Sequence, residues 1–157
     1  MKLPVVLAVI SLLAGCQLPG SADPDSIWFR IPPGSRLVLN QPLEIPAGRA
    51  HLMLQHGSAA TVAGDFDVSC RFEVKNLGPR TIQPEAFVIR RVASGREWIN
   101  QPHTMQFYKI IHLHSATQAD ILPMKCAYED DPRIGRPVTV TAIREALGNI
   151  FSFEFSQ

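Results

Sequence analysis

No apolar run in this chain reaches the roughly 20 residues that a membrane-spanning helix needs. The main one, residues 3–13, is about half that length. Charge of one sign is also missing: 15 Lys and Arg stand against 14 Asp and Glu. That balance gives no handle to a polyanion, so nucleic acid is not an expected partner. There are only three cysteines and no Cys-x-x-Cys, which leaves out the usual thiol metal and redox pairs. The nucleophile motifs Gly-x-Ser-x-Gly, Ser-x-x-Lys and His-Glu-x-x-His do not occur. No glycine-rich phosphate loop follows a strand, and no internal repeat or low-complexity block is present. The serines at 35, 58, 94 and 115 sit in turns or at strand ends without a recognisable catalytic partner.

What the chain does have is frequent breakage: 13 prolines and 10 glycines cut it into short pieces. Residues 27–31 are apolar and end at Pro32-Pro33-Gly34. Residues 36–40 alternate, with Leu37 and Leu39 on one side. Residues 42–45 are brief, and 50–55 place Leu52 and Leu54 inward. Residues 56–64 are small and polar, which predicts a loop. The clearest strand is 66–75, where Val68, Cys70, Phe72 and Val74 alternate with polar neighbours. Residues 76–79 read as a turn. Residues 82–92 carry Phe87-Val88-Ile89, apolar on both sides, as in a central covered strand. Residues 93–104 are expected to form a loop holding Trp98. Strands are expected over 105–115 and 121–128, joined by a polar connection at 116–120.

The periodicity changes after Pro137. Val140, Ile143 and Leu147 have helical spacing, Thr139 or Thr141 can cap the start, and Gly148 can end it. One short helix over 139–147 follows. In the last strand, 150–155, Phe151, Phe153 and Phe155 alternate with Ser152 and Glu154. The fold class is therefore mainly β: an antiparallel β-sandwich or small barrel-like sheet with one short C-terminal helix. The immunoglobulin pattern does not fit. Trp98 lies about twice too far beyond Cys70, and Met124 stands where the corner tyrosine belongs. A membrane β-barrel needs strands of about ten residues with an unbroken lipid-facing side. Most strands here are shorter and carry prolines.

Cys70 falls on the inward side of its strand. So does Cys126, where Met124, Cys126 and Tyr128 alternate with Lys125 and Glu129. In an oxidising compartment these two are expected to form a disulfide.

For chemistry, His112-Leu113-His114 puts two imidazoles on one strand face. With a third ligand from His51, His56 or His103 the pair can hold a transition metal. The His-x-His spacing is similar to that of cupin metal sites, but the glycine-rich surroundings are absent. Otherwise these are ordinary residues on a solvated strand face. Asp65-Phe66-Asp67 and Glu129-Asp130-Asp131 lack the wrapped loop that calcium needs and read as solvated turns. Arg90, Arg91 and Arg96 lie near Trp98, residue types common at binding hot spots.

The N-terminus carries the most specific signal. Met1-Lys2 precedes the apolar run, which ends in Leu13-Ala14-Gly15-Cys16. A positive start, a short apolar stretch and small residues at the end describe an export signal. All four positions of 13–16 resemble the lipobox of bacterial lipoprotein signal peptides. The resemblance covers residues 1–17 and implies cleavage before Cys16 and acylation of its thiol. Gln17 in place of Asp implies the outer membrane as destination, facing the periplasm, with attachment through the lipid anchor. More than one acyl chain makes such attachment durable.

Removing residues 1–15 from the 157 leaves 142, enough for one core. The expected organisation is a removed signal at 1–15, a lipidated cysteine and Pro/Gly/Ser/Asp-rich tether at 16–26, and one β-rich domain at 27–157. The expected role is a non-catalytic binding or envelope-assembly module with an envelope protein as partner and no cofactor. The alternatives are a carrier of a small apolar ligand, or a metal protein or enzyme using His112 and His114.

Overall fold

The computed structural model describes residues 20–156, except Thr61. The lipobox, Cys16 and Gln17 lie outside the described residues.

Ten strands and one helix follow in order. They are β1 (Arg36–Leu39), β2 (Leu43–Ile45), β3 (His51–Gln55), β4 (Ser58–Ala60), β5 (Ser69–Glu73) and β6 (Arg80–Ile82). Then come β7 (Ala86–Asn100), β8 (Thr104–His114), β9 (Met124–Asp130), α1 (Val140–Leu147) and β10 (Phe151–Glu154). Eight strands form one sheet in the order β10-β1-β7-β8-β9-β5-β3-β4, and β2 pairs with β6 in a separate small ribbon. Every named strand pair is antiparallel.

The fold is mainly β, a curled antiparallel sheet with one short C-terminal helix. The curl is visible in the aromatic core. Phe72 of β5 lies 6.1 Å from Phe87 of β7 and 5.7 Å from Phe151 of β10, although five steps of sheet order separate β5 from β10. Right-handed twist bends such a sheet, and apolar alternation on one face lets it close on itself. The buried face carries Leu37, Leu39, Leu54, Phe72, Ile89 and Ile111, all essentially inaccessible.

Helix α1 plugs the seam between the two ends of the sheet. Its buried side is Val140, Ile143, Ala146 and Leu147, spaced as a helix face requires. The Thr139 side chain accepts from the Ala142 amide, and Gly148 ends the helix at φ 53°. The helix touches β3 and β5 on one side and β10 on the other. The Gly57 amide donates to Ala146 O at 3.0 Å, and a Cβ on Gly148 would collide with Gly57.

Several expectations need correction. Residues 27–31 form no strand: Ser26–Phe29 is a turn, closed by the Phe29 amide donating to Ser26 O. The segment still buries Phe29 and Ile31 while exposing Trp28, so its apolar character reflects packing without a ladder. The predicted loop at 56–64 contains β4. Both residues of the turn before it have positive φ (His56 52°, Gly57 71°), the geometry of a tight hairpin. The predicted loop at 93–104 is strand. β7 and β8 form one long hairpin paired down to Asn100↔Thr104. That segment carries no buried residue, although its β8 partners Met105 and Phe107 are buried. Near the end of the expected tether and just beyond it, two contacts reach the C-terminal part of the chain. Asp25 accepts a 2.5 Å hydrogen bond from Thr141, and Phe29 packs edge-on against Phe155 at 5.0 Å.

Candidate functional site

The sheet has two faces, and the register assigns each candidate to one of them. On β8, Met105, Phe107, Lys109 and Ile111 face inward with Cys126 and Met124 of β9. His112 and His114 fall on the opposite, outer face, as alternation requires.

The disulfide expectation is consistent with the geometry. Cys70 of β5 and Cys126 of β9 are direct register partners, with their Sγ atoms 2.06 Å apart. They meet as neighbours in one sheet rather than across the core. Both are fully buried.

The arginine and tryptophan candidates lie along one strand but on different faces of it. A register shift after Ile89 makes Arg90 the extra residue of a bulge. Arg91 then faces outward beside His112, while Arg96 and Trp98 face inward over Phe107 and Met105. Arg91 and Trp98 stand roughly 20 Å apart along the strand. Near the hairpin tip, Trp98 keeps 45% of its surface exposed and Ile99 51%. On the outer face Glu97 pairs with Lys125 at 2.8 Å, tying this arm to β9.

One edge of the arm is open. β1 pairs with β7 only at Ala86, Phe87 and Val88, and the chain before β1 exchanges hydrogen bonds with Ile89. From Arg90 to Asn100, among the described residues, β7 has a neighbour on the β8 side alone.

The two histidines share a face without a third ligand. Among the described residues, no group of three His, Cys, Asp or Glu is placed to hold a metal. Arg91 donates to His112 Nε2 at 3.0 Å, occupying a lone pair that a metal would use. Burial first, and the Arg91 charge second, push the His112 pKa below its ordinary value. His51 lies 3.4 Å from Arg71 on β5, His56 pairs with Asp67 at 3.3 Å, and His103 sits at the hairpin tip. Asp131 is held by Arg133, whose hydrogen bonds bring its pKa to about 2, so this acidic turn is closed by its own cation.

Sequence reasoning passed over Lys109. It is only 7% exposed and lines a pocket of about 410 Å³ with Phe29, Ile31 and Val92. The signal was present: Met105, Phe107 and Ile111 mark the inward side of β8, and Lys109 occupies the same parity.

No family model, curated protein or solved structure matches this chain.

Proposed function

We propose that this chain is a lipid-anchored envelope protein acting as a non-catalytic binding module, and that the open edge of β7 is its contact strand. The unpaired edge from Arg90 to Asn100 is the observation that carries this reading. Free N–H and C=O groups on a strand edge accept an added strand from a partner, and neighbouring side chains choose which strand. Arg90, Arg91 and Arg96 outnumber Glu97 along this edge, which favours an acidic extended segment. Trp98 and Ile99 add exposed apolar area at the far end. The lipobox resemblance supports a Cys16 anchor in the outer membrane facing the periplasm, where confinement to a film raises the local concentration near membrane partners.

A photo-cross-linker placed at Ser94 in intact cells tests the contact. One recurrent envelope protein is expected, with its yield strongly reduced by Arg96→Glu and by Trp98→Ala. Cross-linking that is absent, or indifferent to both substitutions, refutes the edge as the contact strand. Labelling with an acyl-chain analogue tests the anchor separately: label is expected on the native chain and absent from Cys16→Ser.

A further inference from the structure

Lys109 is a charged side chain more than nine-tenths buried on the concave face of the sheet. Among the described residues it forms no ion pair, and no buried side-chain nitrogen or oxygen is left without a partner, so the Lys109 ammonium opens onto the pocket it lines. The half-buried cations Arg80 and Lys125 are paired with Asp120 and Glu97. With its stem buried, the ammonium meets water only through the pocket, and partial desolvation without a counter-charge disfavours the charged form. Burial accordingly pushes the Lys109 pKa below its ordinary value.

The surroundings of Lys109 are specific. The segment before β1 crosses the inner side of the β7–β8 arm and leaves a pocket of about 410 Å³. Phe29, Ile31, Pro33 and Val92 give it apolar walls, and Arg30 is a second cation on its lining. No Asp or Glu lines it. Two positive groups and an apolar wall, with no anion, describe a site missing its negative partner. The volume falls at the small end of the roughly 300–1,000 Å³ found for ligand pockets.

We propose that this pocket binds a small anionic amphiphile, its carboxylate or phosphate head on Lys109 and its short alkyl chain against Phe29, Ile31, Pro33 and Val92. The ligand supplies the counter-charge that the fold withholds. A neutral apolar molecule would leave the ammonium unpaired, and a bare anion would leave the apolar walls wet. The pocket adjoins the β7 edge, but Val92, Ser94 and Lys109 reach it by their side chains while the edge contact is made by backbone.

The test uses the full chain carrying Cys16→Ala, so that no acyl group of its own competes. Decanoate and decyl phosphate, below micelle-forming concentrations, are titrated by calorimetry against decanol, acetate and inorganic phosphate. Saturable binding of at least one alkyl anion is expected, about tenfold or more tighter than decanol or either small anion. Which alkyl anion binds better decides between a carboxylate and a phosphate head. Lys109→Met keeps the apolar stem and is expected to weaken that anion by about tenfold or more. If Lys109→Met does not fold, the pH titration of the Lys109 ¹³Cε resonance in the unsubstituted chain serves instead, and its midpoint should rise when the anion binds. Equal binding by Lys109→Met, equal binding of decanol, an unmoved titration midpoint or no saturable binding overturns the proposal.

Discussion

Glu85 holds four donors at once. Its carboxylate accepts from Ser115 Oγ, the Ala116 amide, Thr117 Oγ1 and Gln118 Nε2, all between 2.6 and 2.9 Å. Partial burial pushes its pKa up, but the bonds from Ser115, Gln118, Thr117 and Ala116 outweigh that and hold it at about 2. Its unfolded value is near 4.5, so the folded form is the one with the depressed pKa. The stabilisation is therefore complete above about pH 4.5 and is lost as pH falls toward 2. Glu85→Gln should cost about 1–2 kcal/mol at neutral pH, discounted for its partial exposure. It should also flatten the acid limb of a denaturant-midpoint profile between those pH values. An acid limb unchanged by the substitution would show that another carboxylate dominates.

Helix α1 depends on its ends as much as on its buried face. Gly148 has positive φ and no room for a Cβ against Gly57. Gly148→Ala combines left-handed strain with that collision, and a loss of about 2 kcal/mol or more in unfolding free energy is expected. The loss should be smaller in a double variant that loosens the β3–β4 turn. The β7–β8 arm behaves oppositely. Trp98 faces inward but keeps 45% of its surface exposed, so Trp98→Ala should move the thermal midpoint little while lowering the cross-linking yield. An equal fall in both would place Trp98 among the packing residues.

The curled sheet is closed by long-range pairings. β1 joins β10 and β7, so residues near 36 meet residues near 154. The Cys70–Cys126 pair spans 56 residues of sequence and joins β5 to β9. Closing a loop of that length is worth roughly 4 kcal/mol in the chain-entropy model. Cys70→Ala with Cys126→Ala should lower the stability of the oxidised protein by up to that amount, read as a denaturant midpoint. A midpoint that reducing agent and the double variant leave unmoved would show the native protein to be unbridged.

Local patterning determined much of this protein. The alternation at 69–73 and 105–111, the parity of Cys70 and Cys126, and the Thr139 cap with Gly148 beyond were legible because each follows from a period of two or 3.6 residues. The lipobox resemblance at 13–16 is likewise a matter of adjacent residues. Tertiary structure alone decided the rest. β4 has no apolar alternation and exists because His56-Gly57 turns it back onto β3. Residues 93–100 carry no buried face, so only pairing with β8 makes them strand. Phe29 and Ile31 are buried without belonging to any ladder. Lys109 became a pocket residue only when the segment before β1 crossed over it. The physical reason is common to all four: periodicity records which side of an element meets the core, whereas an edge, an arm or a pocket is defined by what distant chain does or does not cover.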